Sequence, residues 1–359
     1  MLTLTESPST VFTPPLGAFA ASPAEARGRS RDSVRLLVAE PAGLTHAAFA
    51  DLSRHLRPGD LVVVNNSATV AGEVDAVGPR GPVVLHVATP LDEGCWVVEV
   101  RTAPYGARAV LDAQPGEAFD IPGAKIPDVR LTLVGPYPRD GSSPTGVGNR
   151  PWRARPTGDL PAALGRRGRP IAYGYLDARY PLAAYQSVFA TVPGSAEMAS
   201  AGRPFTRSLV TELVSRGVGV APITLHTGLS SQEAGEAPQP ERFEVPSATA
   251  RLVNAVRAGG GRVVAVGTTV TRALESAVED TRDGDRVVAR RGWTDRVVTH
   301  ADPPRVVSGL ITGWHDPQAS HLLLVEAVAG RELTQRAYAA AVSNGYLWHE
   351  FGDSALLLP

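Results

Sequence analysis

Three apolar segments in the second half of the chain each end abruptly in small, hydroxylated and imidazole side chains. They are Val218-Gly-Val-Ala-Pro-Ile-Thr-Leu-His226, Arg262-Val-Val-Ala-Val-Gly-Thr-Thr269 and Arg305-Val-Val-Ser-Gly-Leu-Ile-Thr312-Gly-Trp-His315. Each reads as a buried strand followed by a turn. Parallel strands of an α/β sheet deliver whatever follows their carboxyl ends to one edge, where ligands bind. Three such endings within about a hundred residues therefore describe one candidate site.

The rest of the pattern sets the domain organisation. Residues 32–38 begin a strand, and residues 58–65 form another after a tight turn. From about 70 to 135 short alternating runs, such as Pro82-Val-Val-Leu-His-Val-Ala and Cys95-Trp-Val-Val-Glu-Val-Arg, are punctuated by Gly and Pro. Such runs predict a small antiparallel barrel or sandwich. Residues 136–170, rich in Gly, Pro, Ser and Arg, read as a loop or linker. Helical periods follow over 206–217, 246–259 and, as one long stretch, Ala319 to Val342. Alternating helix and strand imply a layered α/β body. The predicted fold is thus α/β, with a body of residues 1–68 and 165–359 and an inserted antiparallel β-barrel over 69–164, its Arg-rich linker included. A chain of 359 residues exceeds the size one core usually serves, in keeping with two domains.

Composition narrows the function classes. A 43% hydrophobic and 20% charged content suits a folded globular chain. The apolar runs are far short of a membrane span and no secretory leader opens the sequence, so the expected location is the cytoplasm, with no membrane partner. Cys95 is the single cysteine, which excludes an internal disulfide and a cysteine-rich metal site. A formal net charge of −1 gives no global attraction to nucleic acid. Lys125 is the single lysine. One basic patch stands out: Arg150, Arg153, Arg155, Arg166, Arg167 and Arg169 face one acid, Asp159. It reads either as a solvated linker or as a local phosphate-binding surface.

The segments Pro58-Gly-Asp-Leu-Val-Val-Val-Asn, Tyr185-Gln-Ser-Val-Phe-Ala, Pro193-Gly-Ser, Ser200-Ala-Gly-Arg-Pro-Phe-Thr, Thr224-Leu-His-Thr-Gly-Leu, Leu310-Ile-Thr-Gly-Trp-His-Asp-Pro and Phe351-Gly-Asp353 follow one another along the chain. In that order they resemble the S-adenosylmethionine:tRNA ribosyltransferase-isomerase family of queuosine synthesis. The most specific stretch of the resemblance is 261–276. The resemblance implies an α/β body with an inserted barrel and S-adenosylmethionine as co-substrate, without a metal. It also implies transfer of the ribosyl group to an aminomethyl-deazaguanine base of tRNA, with adenine and methionine released. The patch from Arg150 to Arg169 is then the candidate tRNA contact.

Such chemistry needs a base, a proton donor for adenine, and groups that hold methionine and ribose. His226 and His315 are the candidates for proton transfer, because histidine titrates near neutrality and both follow buried strands. Either could instead cap a turn. Thr268 and Thr269 open a helix and could hold a carboxylate or a ribose oxygen with hydroxyls and amides, or simply act as caps. Arg272 and Glu275 are spaced to pair with each other. The resemblance places Arg272 against a methionine carboxylate or an internal acid, with Glu275 counted in the same co-substrate site. Asp353 could orient a histidine or a ribose hydroxyl, or serve a C-terminal turn.

Departures from the family pattern cluster elsewhere. Asn66-Ser67-Ala68 stands where the family has Asp-Thr-Arg, and Glu73 replaces a further arginine. Pro204 replaces a histidine, the loop from Ser230 to Glu241 is short and without histidine, and Asp316 to Ala319 lacks a family lysine. Retained cofactor binding with slow or absent turnover on the queuosine-pathway tRNA is therefore expected. Two alternatives stand beside family chemistry: an S-adenosylmethionine enzyme with a non-tRNA acceptor, and a non-catalytic binding protein that keeps the fold.

Overall fold

The computed structural model describes residues 4, 6–123, 128–140, 146–230, 236–282, 284–317 and 319–359. Lys125, Gln318 and residues 231–235 of the short loop lie outside them. A nine-stranded sheet forms the body, in the order 290–294, 241–245, 219–225, 61–65, 263–266, 309–312, 354–357, 35–40, 43–48. The central four strands, 219–225, 61–65, 263–266 and 309–312, are mutually parallel. Strand 354–357 runs antiparallel to 309–312 and parallel to 35–40.

Strand 61–65 shows why the layers form. Leu61 and Val63 pack on one face with Val270, Leu274 and Val253 from helices, and Val62 and Val64 pack on the other with Leu209, Leu213, Phe49 and Leu52. A parallel strand buried on both faces reads as a continuous apolar run, which is what Leu-Val-Val-Val is. Helices Ser247–Ala258, Thr268–Ser276, Ser320–Ala329 and Arg331–Ser343 cover the first face, and Arg207–Ser215 covers the second. The long helix expected from Ala319 to Val342 is two helices, broken where Gly330 adopts φ 80°, a conformation most other residues resist.

The inserted domain is a closed six-stranded antiparallel barrel, in the order 151–157, 96–102, 81–90, 73–78, 118–121, 129–136. Alternate residues fill it: Val74 and Ala76, Leu85 and Val87, Val98 and Val100, Leu131 and Leu133, Trp152 and Ala154. The expected linker is therefore largely structured. Pro151–Thr157 closes the barrel, and helix Leu160–Arg167 packs Leu160, Ala163 and Leu164 on it. Proline and arginine masked the alternation of Trp152 and Ala154. Among the described residues no helix is long and apolar enough to cross a membrane.

Candidate active site

The three strand ends meet as the apolar pattern requires. A cavity of about 740 Å³ opens where the parallel strands finish, lined by Thr227, by Thr268 and Thr269, and by Thr312 and His315. Arg101 of the barrel, Tyr173 and Tyr175 of the segment after it, and Phe19 and Glu350 of the chain ends complete the wall. That volume suits a nucleoside-sized ligand.

Thr268 and Thr269 begin helix Thr268–Ser276, whose N-terminus carries no side-chain cap. First-turn amides have no intrahelical acceptor, and the helix dipole adds partial positive charge, so this end can take a carboxylate. Arg272, one turn further on, also lines the cavity, but its guanidinium is bound internally. Nη1 pairs with Glu241, Nη2 donates to the carbonyls of Gln239 (3.0 Å) and Thr294 (3.2 Å), and Nε donates to that of Arg296 (3.0 Å). Glu275 does not pair with Arg272. It accepts from the amides of Arg305 (2.8 Å), Val306 (3.0 Å) and Val307 (2.9 Å), which fixes the chain entering strand 309–312. Glu275 is thus turned away from the cavity.

His315 Nε2 lies 2.9 Å from the Thr312 hydroxyl, and its backbone amide donates to the Tyr338 hydroxyl at 3.3 Å. The His321 ring stacks on it at 4.9 Å with a 10° interplanar angle. Burial, then the neighbouring His321 and His349, holds His315 well below the usual histidine range. Burial, then Arg272, holds His321 at about 4. Both imidazoles are consequently neutral near pH 7.

His226 faces a separate polar chain. Its Nδ1 is 2.7 Å from Ser67 Oγ, which is 2.6 Å from Ser195 Oγ, and that hydroxyl accepts from the Thr227 amide at 3.0 Å. Gly194 makes the approach possible, since a Cβ there would sit 2.6 Å from His226 Nδ1 and Cε1. Thr227 lines the cavity, and His226 lies one residue behind that wall. Asp353 is further away in role. It accepts from the amides of Arg35 (2.8 Å) and Leu347 (2.8 Å) and from Arg35 Nε (3.0 Å), tying the C-terminal strand to its parallel neighbour 35–40.

Several cavity residues carry no motif signal in the sequence. The Glu197 carboxylate accepts from the hydroxyls of Tyr173 and Ser230 and from the Ser230 amide (2.9 Å). Glu350 and His349 stand immediately before the Phe351-Gly-Asp motif, where no spacing rule marks them. The barrel junction holds a second network. Glu73 pairs with Arg169 (2.7 Å), Arg179 (2.5 Å) and His86 (3.2 Å). Burial opposes ionisation there, yet His86 and Arg169 hold Glu73 at about 2. The acid that stands in place of a family arginine is thus charge-balanced inside this chain.

The arginine patch divides accordingly. Arg150 is buried against Glu99 (3.3 Å) and Glu236 (2.7 Å), and Arg169 binds Glu73 and Asp75. Arg166 and Arg167 lie in the last turn of a helix beside Asp128, exposed enough to exchange that partner for a phosphate. Arg155 is exposed, and among the described residues no carboxylate pairs with it.

A family model described as queuosine biosynthesis protein matches residues 10–357. The S-adenosylmethionine:tRNA ribosyltransferase-isomerase of Thermus thermophilus is 35% identical over 342 residues, covering 91% of this chain and 93% of that protein. Its namesake from Moorella thermoacetica is 34% identical over 360 residues, covering 96% and 97%. The crystal structure of an S-adenosylmethionine tRNA ribosyltransferase from Thermotoga maritima superposes with a TM-score of 0.51 at 25% identity, over 97% of this chain and 99% of that one. With a cavity at the ends of its parallel strands and a match along nearly its whole length, this chain belongs to the queuosine biosynthesis protein family.

Proposed function

We propose that this chain is an S-adenosylmethionine:tRNA ribosyltransferase-isomerase that works in the cytoplasm and binds its co-substrate in the cavity at the strand ends. The observation that carries this reading is the uncapped N-terminus of helix Thr268–Ser276 facing the same cavity as two neutral imidazoles. The sulfonium of S-adenosylmethionine acidifies the neighbouring ribose C5′ hydrogens, and that is the chemistry the co-substrate brings.

The protein's own groups supply the rest. The amides and hydroxyls of Thr268 and Thr269 hold the methionine carboxylate, and the Thr312 hydroxyl keeps His315 in position. His315, neutral at pH 7, is free to accept a proton. Arg272 and Glu275 shape the site from behind: Arg272 fixes Glu241 and the chain around Thr294, and Glu275 fixes residues 305–307. His226 and Asp353 act as positioning residues, the first on Ser67 and Ser195, the second on the C-terminal strand. The tRNA backbone is met by Arg155, Arg166 and Arg167. Pro204 stands where the family has a histidine and Ala68 where it has an arginine, so turnover is expected below that of a relative that keeps them. Each proton-transfer group lost is worth about 10²–10⁴-fold.

Calorimetry with S-adenosylmethionine tests the site. Binding is expected in the wild type and is weakened in Thr269→Ala. An absence of heat at saturating ligand, or equal affinity in the two proteins, would remove the co-substrate from this cavity.

A further inference from the structure

One wall of the cavity combines flat rings with an acid that no cation neutralises among the described residues. His349 is the one non-glycine residue with positive φ (68°) among those described, a backbone conformation that is uncommon outside glycine and tends to mark functional sites. Its ring meets Phe19 edge-on at 4.3 Å and lies 5.0 Å from Tyr175, which stacks on Tyr173 at 6.3 Å and 21°. The Phe19 segment is held by the Ala20 amide donating to the Trp348 carbonyl (3.1 Å) and the Trp348 amide donating to that of Ala18 (2.8 Å).

Glu350 follows His349 on this wall. Its Oε2 and the Tyr175 hydroxyl are both shielded from solvent, and Tyr175 is the neighbour placed to hydrogen-bond the carboxyl. Glu197 lines the same cavity and differs in kind, since three donors satisfy its carboxylate. Two carboxyls share one cavity, and they differ in their hydrogen-bond partners. Burial, then the Glu197 charge, pushes the Glu350 carboxyl up to about 8. The groups that face it are Glu197 and Tyr175, with Tyr173 and Tyr185 behind them, and no cation pairs with it among the described residues. A buried carboxyl that keeps its proton near neutrality can serve as an acid.

We propose that Glu350 is the catalytic acid of the purine subsite: its O–H donates to a ring nitrogen of adenine, its C=O accepts from the exocyclic amine, and Tyr175 and His349 bound the ring. The binding half of this assignment stands alone, and the catalytic half rests on the ribosyl-transfer reading. In the step it serves, the bond between the ribose C1′ and the purine nitrogen breaks, its electron pair stays with the purine, and a lone pair of the ring oxygen forms a second bond to C1′. The Glu350 proton passes to that base, which leaves as neutral adenine. Glu350 is left as a carboxylate and recovers its proton from water before the next turnover.

The test is titration of free adenine by calorimetry from about pH 6 to about pH 9. Wild-type affinity is expected to be flat up to neutrality and to fall towards tenfold per pH unit above about 8. Glu350→Gln keeps one donor and one acceptor but has no proton to give. It should bind adenine within about threefold of wild type, independently of pH, while adenine release from S-adenosylmethionine in the presence of acceptor tRNA drops about 10²–10⁴-fold at little-changed KM. Adenine binding that is absent, or pH-independent in the wild type, overturns the assignment, as does Glu350→Gln with an undiminished release rate. If ribosyl transfer itself is the wrong reading, neither protein releases adenine, yet wild-type binding still depends on pH and Glu350→Gln binding still does not.

Discussion

Arg272 acts as a strut, and its removal should cost folding stability before it costs ligand affinity. The residue is 6% exposed, and four of its N–H groups are bonded, to Glu241 and to the carbonyls of Gln239, Thr294 and Arg296. Arg272→Ala leaves Glu241 buried without its cation. Breaking one half of a buried pair costs about 3–5 kcal/mol. The three carbonyls add little, because the cavity can admit water to them. The loss should also depend on pH. Burial raises the Glu241 pKa above 4.5 in the fold, with Arg272 opposing the rise. A carboxyl whose folded pKa is raised stabilises below its unfolded pKa and loses that contribution as pH climbs through the folded value. Without Arg272 the folded value rises further, so the deficit is smallest near pH 5 and grows towards pH 8. Urea unfolding at several pH values measures it, and Glu241→Gln in the Arg272→Ala background should recover part of the loss in a double-mutant cycle. A deficit below about 1 kcal/mol at neutral pH, or one that shrinks as pH rises, would refute the strut and return Arg272 to the role of a free anion receptor.

Other expectations follow from the same geometry. His321, held at about 4 by burial and then Arg272, binds fewer protons folded than unfolded. Its contribution is present above the ordinary histidine range and is lost as pH falls towards 4. His321→Gln should therefore give a shallower acid limb in thermal unfolding, and an unchanged limb would show that His321 is already solvated. Replacing Arg155, Arg166 and Arg167 by glutamine should weaken all tRNAs alike and lower the slope of log affinity against log salt by up to about 0.7–0.9 per arginine. Salt-insensitive binding would place the tRNA elsewhere. Arg150→Gln should instead destabilise the protein, since Arg150 is buried between Glu99 and Glu236.

Much of this architecture is legible in the sequence because burial writes it there. The runs Leu61-Val-Val-Val, Val263-Val-Ala-Val and Gly309-Leu-Ile are apolar throughout since both faces of the sheet are covered, and the threonines that follow the last two mark the cavity edge. The barrel shows in its alternation until Pro151–Thr157, where prolines hide the inward pair Trp152 and Ala154. Side-chain roles are less legible, because a residue type does not name its partner. Arg272, Glu275 and Asp353 carry the right chemistry for a ligand, and the fold binds them to carbonyls, amides and Arg35. Glu350 and His349 escape notice because Phe19, Tyr173 and Tyr175, which give that wall its meaning, join it only in three dimensions.

The most direct test follows the ribose. The purified protein is incubated with S-adenosylmethionine carrying carbon-13 in the ribose, or separately in the methyl group, together with tRNA bearing the aminomethyl-deazaguanine base. Nucleosides from the digested tRNA are then weighed by mass spectrometry. Ribose label should appear in the modified base, methyl label should not, and adenine and methionine should be released in equal amounts. Methyl label in the tRNA, or ribose label that never leaves S-adenosylmethionine while the protein binds both substrates, would contradict ribosyl transfer.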